Sequence, residues 1–301
     1  MSDPVVPNSP LSSTEPWSIA RVLKWAADDF ARRGSESPRL DAELLLCAVL
    51  GVDRVRLILD AGLPLSDVEL ARYRELIRRR RRGEPVAYIL GMREFYGHSF
   101  RIDARALVPR PDTEALVDVA LTRTRPRSLY GRALDLCTGS GCVAISIALS
   151  RPTWKVTGVD ISAAACSLAR ENAERLGATW STRWTTGDLF AALHPERRFE
   201  LITANPPYIP RAEIAGLAPD IRDFEPRLAL DGGDDGLLLV RRIAAEAGRY
   251  LSAGGVLALE VGHDQAERVS AILSAEGYAR IERQRDYGGH ERVVSAIYGP
   301  P

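Results

Sequence analysis

The chain has 301 residues, enough for one large domain or two moderate ones that each bury a core. Its hydrophobic content of 46% and charged content of 27% are those of an ordinary globular protein and exclude wholesale disorder. The 40 basic residues balance the 40 acidic ones, so no overall charge draws the protein to nucleic acid or to an anionic membrane. The four cysteines form no C-x-x-C pair, which indicates a reduced, cytoplasmic protein without a disulfide frame or a metal site.

Residues 1–16 are rich in proline and carry no long apolar stretch, so we predict a disordered tail and neither a signal peptide nor an anchor. Residues 17–84 then predict a small all-α bundle, with helices over 18–33, 41–50 and 52–59 and a fourth opened by a Ser66 and Glu69 capping box. The Arg78 to Arg82 run ends that helix. It is either an RNA-binding patch or a set of cations favoured at a helix carboxyl terminus.

The helical pattern ends at residues 85–105, which we interpret as a β-hairpin linker of two short aromatic strands around a polar turn. The following stretch, Val108 to Glu114, closes the linker, and Asp112 is the expected N-cap of a helix over 115–123.

Residues 106–301 form the second predicted domain, in which strands and helices alternate from Arg132 onward. Such alternation builds a parallel sheet with helices on both faces. The expected strands cover 133–137, 155–159, 180–186, 199–204 and 255–261, the helices cover 142–149, 163–176 and 237–251, and a hairpin covers 279–287 and 292–298. An antiparallel last strand on a parallel, Rossmann-like sheet is typical of methyltransferases and not of dinucleotide dehydrogenases.

A glycine-rich turn follows the first strand of this sheet, where Cys137, Thr138, Gly139, Ser140 and Gly141 lead into a helix. Glycines there let the backbone approach a ligand, and the free N–H groups of the helix terminus favour an anion. The turn fits the dinucleotide fingerprint G-x-G-x-x-A, which alone is a weak signal.

Two acids follow the next strands. Asp160 is placed to accept the ribose hydroxyls of NAD or of S-adenosylmethionine, or else to cap the next helix, for which Ser162 is better suited. Asp188 and Leu189 follow the third strand and would contact an adenine ring.

The fourth strand ends at Asn205, Pro206, Pro207 and Tyr208, which form either a plain turn or a rigid device for gripping a planar NH₂ group. In this topology the crevice at the strand carboxyl ends brings these residues opposite the glycine turn. A dehydrogenase would need a proton-relaying group there, and none of His98, His194, His263 and His290 is near. The pattern therefore favours methyl transfer to an NH₂ nitrogen.

The chain resembles the HemK/PrmC family of protein-(glutamine-N5) methyltransferases over about residues 18–298. The motifs that carry the resemblance are Leu40 to Glu43, Pro85 to Tyr88, Val108 to Glu114, Asp135 to Gly141, Asn205 to Tyr208, Glu225 to Leu230, Asp286 to Gly288, and Glu291 with Arg292. The sequence departs from the family pattern at Cys137, where Gly is frequent, and at Leu189, where Trp is frequent.

The resemblance implies that S-adenosylmethionine is the cofactor and that the glutamine of the GGQ motif in class I peptide chain release factors is the substrate. Residues 137–141, Asp160, Asp188, Leu189 and Asn205 would bind the cofactor, and Asn205 to Tyr208 would bind the glutamine, with Asn205, Pro206 and Tyr208 in catalysis. A monomer without a nucleic-acid substrate is expected. The alternatives are methylation of ribosomal protein L3, methylation of a nucleic-acid amino group, and a non-enzymatic cofactor-sensing or scaffold role.

Overall fold

The computed structural model describes residues 16–125 and 129–299. Nearly all of the predicted disordered tail lies outside these residues. The chain divides into two compact units, the first ending at Leu90 and the second beginning at Gly91. Among the described residues, no helix combines the length and the apolar character that crossing a membrane requires.

The first unit is a bundle of helices α1 (Ile19–Arg32), α2 (Pro38–Leu50), α3 (Arg54–Leu59), α4 (Asp67–Arg81) and α5 (Val86–Leu90). Helices α1 and α4 begin with the predicted N-caps, because the Ser18 side chain accepts from the Arg21 N–H and Ser66 forms a reciprocal capping box with Glu69. Apolar side chains spaced three and four apart meet in one core, where Phe30 and Tyr73 are among the most buried residues.

The arginine run at the end of α4 is engaged within the same unit. Three of its cations form ion pairs with acids of the bundle: Arg79 with Glu84, Arg80 with Asp41, and Arg81 with Asp29. Because these guanidinium groups are committed to carboxylates, the contacts favour the structural interpretation of this run.

The segment Val86–Leu90 corrects one prediction, since it is a helix and not the first strand of a hairpin. Five consecutive apolar residues suit a buried helix as well as a strand, and the Pro85 carbonyl accepts from the Tyr88 and Ile89 N–H groups. The hairpin follows, formed by β1 (Met92–Phe95) and β2 (His98–Arg101). It belongs to the second unit, in whose core Phe95 and Phe100 are buried.

The second unit contains a seven-stranded sheet in the order β5-β4-β3-β6-β7-β9-β8. The first five of these strands are parallel, and β9 and β8 are antiparallel, as the sequence predicts. The strands are β3 (Arg132–Leu136), β4 (Lys155–Asp160), β5 (Thr182–Thr186), β6 (Phe199–Ala204), β7 (Leu251–Glu260), β8 (Tyr278–Arg285) and β9 (Glu291–Tyr298).

Helices cover both faces of this sheet, so central strand residues such as Leu134, Ile202 and Leu257 are fully buried. The helices are α6 (Glu114–Arg123), α7 (Cys142–Ser150), α8 (Ala163–Arg175), α9 (Pro219–Arg222), α10 (Leu238–Ala247) and α11 (Ala266–Ala275). Short 3₁₀ turns cover Pro111–Thr113, Leu189–Ala192, Arg211–Gly216 and Arg227–Ala229.

Two details near α6 and α11 differ from the sequence analysis. Asp112 does not cap α6, because it lies inside the preceding 3₁₀ turn and its carboxylate pairs with Arg292 at 3.1 Å. Helix α11 was not predicted, although Val269 and Leu273 are spaced four apart and both are fully buried.

Candidate functional site

The glycine-rich turn lies where β3 ends and α7 begins. Cys137, Gly139 and Gly141 have φ angles of 55°, 54° and 79°, in the left-handed region that glycine adopts without strain. A side chain at such a position costs about 1–2 kcal/mol. Glycine at position 137 would therefore adopt this φ angle with less strain than Cys137 does. Burial raises the pKa of the Cys137 thiol, so it is held protonated.

Asp135, on β3, fixes this turn to the neighbouring strand β6. Its buried carboxylate accepts from the Thr138 hydroxyl at 2.6 Å and from the Thr203 hydroxyl at 2.7 Å. Burial raises the pKa of Asp135 to about 6, and the two hydroxyl groups oppose that rise. One side chain thus connects the turn to the strand that leads into Asn205.

Asp160, at the end of β4, holds the other side of the turn. Its Oδ2 accepts from the Gly139 N–H and its Oδ1 from the Ser162 N–H, both at 2.9 Å. The cap of α8 is the Ser162 hydroxyl, which accepts from the Ala165 N–H at 3.2 Å. Burial is the main cause of a raised pKa at Asp160. Each carboxylate oxygen keeps a further lone pair for a ligand hydroxyl.

The buried amide of Asn172, on α8, connects the turn to the hairpin. Its Nδ2 donates to the Ser140 carbonyl at 2.9 Å and to the Arg101 carbonyl at 3.0 Å, while its Oδ1 accepts from the Arg101 N–H at 2.7 Å. The hairpin is therefore part of the support of the candidate site.

Asp188 and Leu189 follow β5 and differ in exposure. The exposed Asp188 carboxylate pairs with Arg242 at 2.9 Å. Leu189 is buried and has a φ angle of 49°, which turns the chain into the 3₁₀ segment that begins there. Its side chain offers an apolar surface and no hydrogen-bonding group.

The Asn205 to Tyr208 segment follows β6 and is fixed at both ends. The Asn205 Nδ2 donates to the Thr113 hydroxyl at 3.3 Å, and the Tyr208 carbonyl accepts from the Gln265 Nε2 at 2.9 Å. Pro206 and Pro207 between them are buried. Burial raises the pKa of the Tyr208 phenol to about 12, so this hydroxyl is un-ionised at neutral pH.

Residues 209–236 pass beside this segment. Gly232 lies so close to it that a Cβ there would fall 2.8 Å from the Pro207 carbonyl oxygen, which only glycine permits. Glu225 is buried, and its carboxylate accepts from the Arg110 guanidinium at 2.9 Å. Burial raises the pKa of Glu225 to about 7 against the lowering effect of Arg110.

A cavity of about 310 Å³ joins these elements. Pockets for small molecules occupy roughly 300–1,000 Å³. Nine of the predicted site residues line it: Cys137, Thr138, Gly139, Ser140, Asp160, Asp188, Leu189, Asn205 and Pro207. The predicted residues Gly141, Pro206 and Tyr208 adjoin this lining without being part of it.

The donor set of the cavity fits S-adenosylmethionine. Asp160 offers carboxylate oxygens to ribose hydroxyls, Leu189 and Val159 offer apolar surface to an adenine ring, and the turn at Gly139 is open toward a ligand. A Cβ built on Gly139 would meet only one atom within 4 Å, the Cβ of Ala106.

Three further side chains support the site: Thr113, Asp135 and Asn172. Thr113 and Asp135 lie in motifs named above, but no role was predicted for either side chain, although an acid within an apolar strand requires a partner. The contacts of Thr113 and Asn172 could not be predicted, since their partners are 92 and 71 positions away in the chain.

Comparisons with known proteins agree with this architecture. The family model of the PrmC N-terminal domain matches residues 21–91, and that of the methyltransferase small domain matches residues 113–217. A methyltransferase structure from Pyrococcus furiosus has a TM-score of 0.50 at 19% identity, covering 67% of this chain and 89% of that one. At that identity, it supports the fold alone.

Two relatives match at much higher identity. A release factor glutamine methyltransferase of Geobacter sulfurreducens is 44% identical over 95% of this chain and 98% of its own. Another from Vibrio cholerae is 41% identical over 93% of this chain and 97% of its own. The chain is therefore an S-adenosylmethionine-dependent methyltransferase that belongs to the release factor glutamine methyltransferase family.

Proposed function

We propose that this chain methylates the side-chain amide nitrogen of the glutamine in the GGQ motif of class I peptide chain release factors. Relatives that match almost the whole chain carry the name release factor glutamine methyltransferase. The nitrogen gains one C–N bond and loses one proton in this reaction. S-adenosylmethionine would supply the electrophilic sulfonium methyl group, its methyl carbon–sulfur bond would break as the C–N bond forms, and S-adenosylhomocysteine would leave.

The observation that carries the proposal is the pairing of β3 with β6, in which Leu136 lies beside Ala204. The next residues along the two strands are Cys137, in the glycine turn, and Asn205. Both line the same cavity. A cofactor held at the turn and an amide held at Asn205 would thus be neighbours, which methyl transfer between them requires.

Asn205 and Pro206 are proposed to position the substrate amide. The Asn205 Nδ2 is directed to Thr113, which leaves its Oδ1 as an acceptor for one substrate N–H. The Pro206 carbonyl would accept the second N–H, and Tyr208 would cover the amide face. Holding the nitrogen in line with the methyl group supplies the main rate effect, since positioning alone can contribute roughly 7–11 kcal/mol.

No general base is assigned in this scheme. The Asp160 carboxylate accepts from the Gly139 and Ser162 N–H groups and its remaining lone pairs are proposed to accept ribose hydroxyls, and the Asp188 carboxylate is paired with Arg242. An amide nitrogen acidifies on methylation, so its proton can pass to water after transfer. Residues 137–141, Asp160, Asp188, Leu189 and Asn205 are proposed to bind the cofactor.

The helical unit is proposed to recognise the body of the protein substrate. Its α3 presents three apolar side chains to solvent, since Val55, Ile58 and Leu59 are each at least 64% exposed. Exposed apolar groups that are close together mark interaction surfaces. We further propose a cytoplasmic monomer, in keeping with four free cysteines among the described residues.

Mass spectrometry tests this function. The purified protein is incubated with S-adenosylmethionine and an intact class I release factor, and the peptide that contains the GGQ motif is sequenced. We expect one added methyl group on the glutamine nitrogen, and none in a release factor whose motif glutamine is replaced by glutamate. Parallel reactions with ribosomal protein L3 and with total RNA test the alternative substrates. Methylation of either in preference to the release factor contradicts the proposal.

A further inference from the structure

The hairpin of β8 and β9 carries the motif of Asp286 to Gly288, Glu291 and Arg292, which no step above uses. The Arg292 side chain, on β9, is 14% exposed and contacts two parts of the sheet. Its Nε pairs with the Asp286 Oδ2 at 3.2 Å, and its Nη1 donates to the carbonyl of Val261, the residue after β7, at 3.5 Å. The guanidinium group is therefore fixed to its own hairpin and to the end of a central strand.

A third contact of Arg292 reaches the candidate site. Its Nη2 pairs with the Asp112 carboxylate at 3.1 Å, and Asp112 lies in the 3₁₀ turn Pro111–Thr113. The hairpin also contacts the helix that follows this turn, since the Tyr287 hydroxyl donates to Asp118 on α6 at 2.7 Å. The hairpin thus holds both the 3₁₀ turn and the helix behind it.

Thr113, the last residue of the 3₁₀ turn, is held on both sides. Asp112, before it, is paired with Arg292. Glu114, after it, accepts from the Tyr96 N–H at 2.8 Å. Thr113 itself is 2% exposed, and the single torsion between its backbone and its hydroxyl oxygen is restricted by branching at Cβ. A fixed backbone at this residue therefore fixes the position of the hydroxyl oxygen.

The Thr113 oxygen sets the direction of the Asn205 amide. It accepts from the Asn205 Nδ2 at 3.3 Å. A primary amide has a donor end and an acceptor end, so an acceptor that holds the NH₂ group leaves the oxygen directed to the other side. That oxygen is the group proposed above to accept a substrate N–H. A displaced Thr113 would therefore leave Asn205 free to rotate away from its working orientation.

We propose that Arg292 is a positioning residue for methyl transfer, which fixes the 3₁₀ turn through Asp112 and thereby the Asn205 amide through Thr113. The inference rests on the function proposed above for Asn205. Arg292 and Asp112 lie outside the lining of the cavity, whereas Thr113 and Asn205 are part of it. Arg292 thus acts on the reaction through three other side chains.

A mutant cycle of Asp112 and Thr113 tests this series of contacts on kcat for an intact release factor. Thr113→Val removes the hydroxyl at nearly constant shape and should lower kcat about tenfold, as the loss of one hydrogen bond allows. Asp112→Asn weakens the ion pair of a carboxylate that is 44% exposed and should lower kcat about fourfold. Because Asp112 acts through Thr113, the double variant should lose about tenfold and not the product of about fortyfold.

Three matched variants separate positioning from stability. Thr113→Ser retains the hydroxyl and should keep kcat within about twofold of wild type. Glu291→Gln weakens an ion pair within the same hairpin, with Arg283 at 3.3 Å, and should keep wild-type kcat. Arg292→Lys retains the charge on one nitrogen, which cannot replace the three-way contact of the guanidinium, and should lose about as much as Asp112→Asn. The Kd for S-adenosylmethionine should stay within about twofold of wild type in each.

The same cycle is also measured without a substrate. In protein labelled with ¹⁵N at asparagine, the side-chain resonances of Asn205 are assigned with Asn205→Ala. Asp112→Asn should shift these resonances in the wild-type background and leave them unchanged in the Thr113→Val background. A direct electrostatic effect of Asp112 would shift them in both backgrounds. Glu291→Gln should shift them in neither.

Several results overturn the proposal. They are wild-type kcat in Asp112→Asn or Arg292→Lys, the multiplied loss in the double variant, and a Thr113→Ser variant as slow as Thr113→Val. A kcat that falls as far in Glu291→Gln as in Asp112→Asn, or an equal resonance shift in both backgrounds, does so too. Failure of the wild type to methylate any release factor contradicts the proposed function alone, because the resonance experiment still tests the link from Asp112 to Asn205.

Discussion

Replacing Asp160 by alanine should weaken the binding of S-adenosylmethionine. In the structure this carboxylate accepts two backbone N–H groups, at Gly139 and Ser162, and each oxygen keeps a lone pair that can accept a ribose hydroxyl. A hydrogen bond to a charged acceptor contributes about 1.5–3 kcal/mol. Loss of the ribose contact alone therefore raises Kd by about 10- to 150-fold.

A second consequence of this substitution concerns the turn itself. Without Asp160 the Gly139 N–H loses its acceptor, which removes one of the contacts that fix the turn. The effect on protein stability is smaller than on affinity, because burial already raises the pKa of Asp160 and alanine removes the cost of burying that charge. We expect the loss in free energy of cofactor binding to exceed the loss in free energy of unfolding that the melting temperature reports.

Isothermal titration calorimetry with S-adenosylmethionine measures the effect. Asp160→Asn, which retains one acceptor oxygen, should bind with intermediate affinity. Ser66→Ala is the control, since loss of the α4 capping box costs about 0.5–2 kcal/mol of stability in the other unit and should leave Kd unchanged. An Asp160→Ala variant with wild-type affinity would refute the ribose contact.

Three further predictions concern catalysis, pH and the hairpin. Asn205→Ala should abolish methyl transfer and leave the melting temperature close to that of wild type, and a turnover within about threefold of wild type would contradict the amide grip. The pKa of Glu225, about 7, lies above its unfolded value, so the stabilisation that protonated Glu225 contributes is complete below pH 4.5 and is lost as the pH rises to 7. Urea unfolding should therefore show a smaller fall of the free energy of unfolding over this pH range in Glu225→Gln than in the wild type. A fragment that begins at Gly91 should keep cofactor binding and lose activity on intact release factor more than on a glutamine peptide; equal losses on these two substrates would mean that the bundle does not recognise the substrate. A fragment that begins at Ala104 should have a lower melting temperature than the Gly91 fragment, because it lacks the buried hairpin.

The strands and the site turn could be predicted because their signals are local. Apolar runs of five or six residues that end at glycine, proline or an acid predicted the strands before the glycine turn, Asp160 and Asn205. The order of the strands then predicted that the turn and Asn205 face each other, and both line the cavity.

The remainder depends on contacts between distant residues. The short apolar run Val86–Leu90 has no periodicity long enough to distinguish helix from strand, and its packing in the bundle decides for helix. Asn172 is an ordinary polar residue in sequence, and Thr113 belongs to the Val108 to Glu114 motif, which does not indicate what its hydroxyl contacts. They become important because the fold brings them against Asn205 and the glycine turn.

The pairing of β3 with β6 limits how this enzyme can move. Adjacent strands in a ladder are held about 4.8 Å apart by their backbone hydrogen bonds. The walls of the crevice that carry Cys137 and Asn205 therefore cannot separate as the halves of a hinged enzyme do. We therefore expect entry of substrate and release of product to involve residues 209–236, of which Pro226, Leu228, Ala229 and Asp231 line the cavity and Glu225 is paired with Arg110. Substitutions in β3 and β6 should thus alter the rate of methyl transfer, and substitutions in residues 209–236 should alter the rates of substrate entry and product release.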